Sequence, residues 1–206
     1  ITASRRLDFY AYLLLVDGRP PLKRHADSLA ALQQMQFRVC ADFTAGRSIG
    51  PVTVAVVARD PSSLVAAVDV EGVDEIVTVA AGRDEFENDT YQQAVEALIA
   101  ARRPHVVLLG FTVNAMGYAP ALAARLGLGF SSDVHGVALE GDSVVATRSF
   151  YGGKVDAEVE FPGKETVLLL LRPTTWAPAE GKGAAAVSAL DVEVAPSRAR
   201  HVEFAE

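Results

Sequence analysis

Ser131-Ser132-Asp133-Val134-His135 is the densest run of side chains capable of chemistry. A hydroxyl, a carboxylate and an imidazole are the ingredients of a hydrolytic triad. Triad members come from separate loops, however, and no G-x-S-x-G elbow precedes these serines. A hydrolase using Ser131 or Ser132 with His135 is therefore rejected, and the run reads as the polar end of a strand. Ligands and partners of parallel sheets gather at such carboxyl ends, which keeps Asp133 as a candidate contact. Metal chemistry has less support. His25, His105, His135 and His201 are scattered, and the lone Cys40 excludes an internal disulfide or a Cys-rich zinc site. A phosphate loop should follow the first strand, but Asp17-Gly18-Arg19-Pro20-Pro21 has neither GxGxxG nor a P-loop. Pro21 also lacks a backbone donor. In Gly110–Tyr118, which joins a strand to a helix, Asn114 is expected to cap the helix, and an anion pocket there is the lesser reading.

The elements that would carry these residues alternate through the first two-thirds of the chain. Near-continuous apolar runs at Tyr10–Val16, Val52–Ala58, Glu75–Val79 and Val106–Gly110 predict parallel strands covered on both faces. Helices are expected at about 22–43, at 61–68 behind a proline, at 90–103 and at 118–126. In the third, Tyr91, Ala94, Val95, Leu98 and Ile99 share one face, Asp89 is placed to cap the start, and Pro104 ends it. The fourth stops at Gly127. This order predicts an α/β fold, a Rossmann-like mostly parallel sheet with helices on both faces.

After residue 135 the pattern becomes an antiparallel β meander. Strands are expected at Ser143–Thr147, Val155–Phe161 and Thr166–Leu171, and the short connections at 150–153 and 162–164 imply antiparallel neighbours. Residues 1–172 are thus expected to form one Rossmann-like α/β domain with the meander at its C-terminal side. From Pro173 to Glu206 no periodicity is convincing, and 173–206 reads as a linker or a partner-wrapping tail.

Composition narrows the function classes. Half of the 206 residues are apolar, and 19 Lys and Arg stand against 26 Asp and Glu, a net charge of −7. That balance argues against nucleic acid as a partner. No apolar run approaches the roughly 18–20 residues of a membrane span, so no membrane insertion is expected. One cysteine and no secretory leader pattern point to a reducing, cytoplasmic setting.

The ordered series VVLLGF, NAMGYAPALAARLGLGFSSDV, VATRSFYGGKV and VLLLLRPTTW resembles the N-terminal domain of electron transfer flavoprotein α subunits. The matching motifs are Pro120–Gly127, Gly129–Val134, Arg148–Gly152 and Arg172-Pro173, and the likeness extends over roughly Tyr10 to Arg198. It is greatest to bacterial members that accept electrons from trimethylamine dehydrogenase. One departure is Met116-Gly117-Tyr118, where many members have a basic residue ahead of the proline helix.

The resemblance implies an electron carrier subunit rather than a catalyst with its own substrate. Its partners would be a β subunit, which binds AMP, and a flavin dehydrogenase reached through the complex. FAD would sit mainly in a second α-subunit domain expected to begin near Glu206, so no cofactor-binding or catalytic residue is assigned in this chain. Asp133, Arg148, Tyr151, Lys154 and Arg172 are expected to contact the partner or that domain. A different reading is a stand-alone adenine-nucleotide-binding or scaffold module without flavin.

Overall fold

The computed structural model describes residues 6–7, 52–81, 86–140, 143–172, 175 and 181–198. The candidate strand Tyr10–Val16, the 17–21 loop and the 22–43 helix lie outside these residues. The described strands are β1 (Arg6–Leu7), β2 (Thr53–Ala58), β3 (Glu75–Ala80), β4 (Val106–Gly110), β5 (Gly129–Glu140), β6 (Ser143–Phe150), β7 (Val155–Glu160), β8 (Val167–Leu171) and β9 (Ala186–Ala189). They form one sheet in the order β7-β6-β5-β8-β4-β1-β2-β3-β9. Pairing is parallel from β5 through β8 to β9 and antiparallel along β5-β6-β7. This is the Rossmann-like α/β layout with an antiparallel meander at one side.

Helices α1 (Val65–Val68), α2 (Asn88–Arg102) and α3 (Val113–Leu126) connect the strands, and a single 3-10 turn, Pro61–Leu64, leads into α1. One face of the sheet packs α2 and α3 through Tyr91, Val95, Leu98, Tyr118 and Leu122. The opposite face packs Val68 of α1 together with Val144 and Ala146 of the meander. Apolar strands β2, β4 and β8 are buried on both sides, as their unbroken hydrophobic runs require. Among the described residues no helix is long and apolar enough to cross a membrane.

Several local expectations need correction. Helix α2 starts two residues early, so Glu87 takes the N-cap position and Asp89 falls in the first turn. Helix α3 starts at Val113, and its cap is Thr112, whose hydroxyl accepts from the Ala115 amide at 3.2 Å; Asn114 lies inside the helix. Pro120 drew the expected start too far along because proline favours a first turn. Here it sits in the helix interior, where it leaves the Met116 carbonyl without its helical donor. The 162–164 connection does not join antiparallel neighbours. Strand β8 lies between β4 and β5 and is parallel to both, while β7 pairs with β6. Within the tail expected to lack periodicity, Ala186–Ala189 forms β9, parallel to β3.

The misread connection follows from a fold-back in β5. This strand pairs with β8 from Gly129 to Val134 and with β6 from Val134 to Glu140. Were it straight, the Gly129 and Glu140 ends would lie roughly 36 Å apart at about 3.3 Å per residue. Instead Ser143, opposite Glu140, lines the same cleft as Val167, opposite Gly129. The Phe161 ring also presses on Gly129, where a β-carbon would come within 2.9 Å of it. The meander therefore doubles back over the sheet, and a short loop suffices to reach β8.

Candidate functional site

The bend in β5 is made by a bulge. Its register shifts between Ser131 and Val134 on the β8 side and between Val134 and Gly136 on the β6 side. Asp133 lies in the bulge with φ of 57°, the left-handed region that Asp tolerates better than most residues. Its carboxylate is gripped by the residue that follows β8. Arg172 Nε donates to Oδ1 at 2.7 Å and Nη2 to Oδ2 at 2.8 Å, while the Arg172 amide donates to the Val134 carbonyl at 2.7 Å. This bidentate fork fixes the angle at which the meander leaves the sheet. The fork holds the Asp133 carboxyl below its usual range against the opposing effect of burial, with Arg172, Arg148 and His135 adding favourable charge. The Arg172 guanidinium is pushed up in return, chiefly by the same hydrogen bonds.

Arg148 pairs across from Val134 on β6. Its guanidinium carbon lies 4.6 Å from the Phe150 ring centre, a cation–π stack. Its Nε is sealed from solvent and has no hydrogen-bond partner among the described residues. Tyr151, Gly152, Gly153 and Lys154 make the β6–β7 turn, closed by the Gly153 and Lys154 amides donating to the Phe150 carbonyl. Tyr151 and Lys154 are exposed. The five sequence candidates thus divide into an internal lock, Asp133–Arg172, and a neighbouring surface formed by Arg148, Tyr151 and Lys154.

A cluster that sequence reasoning missed lies on the outer face of the meander. Ser149 donates to Asp156 Oδ1 at 2.7 Å, and His135 Nε2 lies 3.0 Å from Ser149 Oγ and 3.3 Å from Asp156 Oδ1. The contact with Ser149 first, and then the nearby His135, lowers the Asp156 carboxyl. This is not a relay. Serine and aspartate share one imidazole nitrogen, and the hydroxyl is already committed to the carboxylate, whereas a triad needs them on opposite nitrogens. The Ser131 hydroxyl is buried without a partner among the described residues. The available signal was the register of the hairpin, which sets Ser149 opposite Asp156. Among the described residues no group of three His, Cys, Asp or Glu is placed to hold a metal.

The family described as "Electron transfer flavoprotein domain" matches residues 43–197. The chain belongs to this family. Over 155 residues it is 44% identical to the electron transfer flavoprotein subunit alpha of Methylophilus methylotrophus, covering 75% of this chain and 48% of that protein. The corresponding subunit of Syntrophomonas wolfei is 35% identical over 114 residues, 52% of this chain and 36% of its own length. A shorter stretch of 52 residues, 25% of this chain, is 48% identical to a DNA ligase of Koribacter versatilis and spans 8% of it. The chain thus spans about half the length of the Methylophilus flavoprotein subunit.

A flavoprotein family raises the question of where a flavin dinucleotide would be held. Its pyrophosphate asks for free backbone donors at a helix N-terminus. At α3 the Thr112 hydroxyl already caps the end. At α2, Glu87 occupies the cap position and the Asp89 carboxylate the first turn. Neither of these two helix N-termini therefore fits that pyrophosphate.

Proposed function

We propose that this chain is the N-terminal base domain of an electron transfer flavoprotein α subunit. In the intact α/β heterodimer it works as part of an electron carrier between a flavin dehydrogenase and an acceptor. The observation that carries this reading is the family match over 43–197, which spans the bulge, the Asp133–Arg172 lock and β8. On this reading the chain supplies no catalytic group. FAD is held mainly elsewhere in the α subunit, and AMP by the β subunit. The protein supplies orientation and electrostatics while the cofactor carries the electrons. Residues 1–172 form the base, and 173–206 lead toward the flavin-holding domain in a cytoplasmic bacterial complex.

Arg148, Tyr151 and Lys154 are the contacts with the rest of the complex, while Asp133 and Arg172 shape the corner that presents them. The test is to mix this chain with the β subunit from the same source and follow the complex by sedimentation. A one-to-one complex is expected at about 10 μM, a concentration at which an affinity near 1 μM leaves most of the chain bound. No complex, or tight AMP binding by this chain alone in calorimetry, would overturn the reading in favour of a nucleotide-binding module.

A further inference from the structure

Three potential ligand atoms from three neighbouring strands meet on one face of the β5-β6-β7 sheet. Val134 pairs with Arg148 and Gly136 with Thr147, which leaves His135 of the β5 bulge opposite no residue of β6. A bulge re-aims the side chain that it inserts. Here the imidazole turns to Ser149 of β6 and Asp156 of β7, which stand directly opposite each other. The three atoms form a small triangle. Asp156 Oδ1 lies 2.7 Å from Ser149 Oγ, and His135 Nε2 lies 3.0 Å from the hydroxyl and 3.3 Å from the carboxylate. Protons do not fill it. The hydroxyl carries one, Nε2 carries at most one and an ionised carboxylate none, so two protons at most serve three contacts. The Asp156 side chain is 60% exposed and that of His135 21%, which leaves the triangle open to water.

We propose that His135 Nε2, Ser149 Oγ and Asp156 Oδ1 form a site for a divalent first-row transition cation, which they hold on one face of an octahedron with water in the other three positions. The spacing selects this geometry. With bonds of about 2.1 Å, ligands stand about 3.0 Å apart on an octahedral face and about 3.4 Å apart on a tetrahedral one. The ligand set selects the cation. An imidazole nitrogen suits Zn²⁺ and Ni²⁺, whereas Ca²⁺ and Mg²⁺ take oxygen ligands. The imidazole binds neutral and the hydroxyl coordinates through a lone pair, keeping its proton. The Asp156 carboxyl is already held below its ordinary value, chiefly by the Ser149 hydrogen bond, and supplies the negative charge. Arg172 also acts on Asp156, which makes the site weaker than the same ligands on a neutral surface. All three ligands belong to this chain, so the site needs no partner. A bound cation cross-links β5, β6 and β7 beside the bulge.

The experiment titrates Zn²⁺ into the metal-free chain at about pH 7.5, where imidazole is neutral. Imidazole proton signals are followed by NMR and the melting temperature is recorded alongside. The His135 signals, identified by their loss in His135→Gln, should shift and saturate at one equivalent while the melting temperature rises. Asp156→Asn keeps an acceptor for the Ser149 hydroxyl and removes only the charged ligand. It should weaken binding at His135 by about 10-fold or more, with its metal-free melting temperature close to that of the parent. Ser149→Ala should cost less, because a neutral hydroxyl is the weakest of the three ligands. Unchanged affinity in Asp156→Asn would reduce the site to a lone surface imidazole and overturn it. A His135 signal that stays still up to about 1 mM Zn²⁺ would overturn it too, whatever the other histidines do.

Discussion

Leu169 of β8 has no exposed surface and lies between Leu108 of β4 and Ser131 of β5. Ser188 of β9 belongs to a stretch, 181–198, in which no residue is buried. Ala185, Leu190 and Val192 pack partly buried against the core, and a row of polar ties does the rest of the holding. The Gly183 and Ala185 amides donate to Asp69, and Ser188 bonds Glu75, Arg102 and Thr78. Gln93 exchanges two hydrogen bonds with Ala195, and Asp89 takes the guanidinium of Arg198. Glu75 joins body and strap. Burial alone would raise its carboxyl, but hydrogen bonds from Ser188, Arg102 and Thr53 bring it below its ordinary value. Apolar burial sustains a cooperative body, whereas exposed hydrogen bonds contribute little each and open locally. The strap is therefore expected to detach without unfolding the sheet.

The largest effect comes from the body. Leu169→Ala should lower global stability by about 3–4 kcal/mol in urea unfolding, the usual range for a leucine truncated in a closed core. A loss below about 1 kcal/mol would mean that β8 is not the central strand the topology makes it.

Gly183→Ala should do the reverse. A β-carbon there would meet the Asp69 carboxylate and come 2.5 Å from the Val70 carbonyl oxygen, and backbone cannot swing aside. The strap must shift while the core is untouched. The Ala186 and Leu190 amides, which donate to Asp74 and Thr78, should lose hydrogen-exchange protection. Global stability should change by less than about 1 kcal/mol. A fall as large as that of Leu169→Ala would make strap and body a single cooperative unit.

The same contrast decides what the sequence could disclose. Runs such as Val106–Gly110 and Val167–Leu171 announce buried parallel strands because burial on both faces demands uninterrupted apolar residues. Strand order is a different matter. It turned on the bulge at Asp133, which no periodicity reports and which let a six-residue span return the chain from β7 to β8. The resemblance did single out Asp133 and Arg172, yet it could not say that they bind each other. Strand β9 was illegible because Ala186–Ala189 is only four residues long and exposes its one large apolar side chain, Val187; its place is set by Glu75, Thr78 and Arg102, residues far away in the chain.

The smallest effect tests the last tie of the strap. Arg198 binds Asp89 through both carboxylate oxygens and through its own backbone amide, and these contacts lower the Asp89 carboxyl from 3.8 to about 2. A carboxyl lowered in the folded state stabilises it above its unfolded value, so the contribution is present above about pH 4 and is lost as pH falls toward 2. The Arg198 side chain is 90% exposed, so water and salt screen the charge and the energetic share is small. The titration itself is readable by carboxyl NMR. Asp89 should titrate near 2 in the parent and return to about 3.8 in Arg198→Ala, with global stability at pH 7 unchanged. A parent midpoint already at 3.8 would mean that the strap ends before Arg198 and that its hold on α2 stops at Gln93.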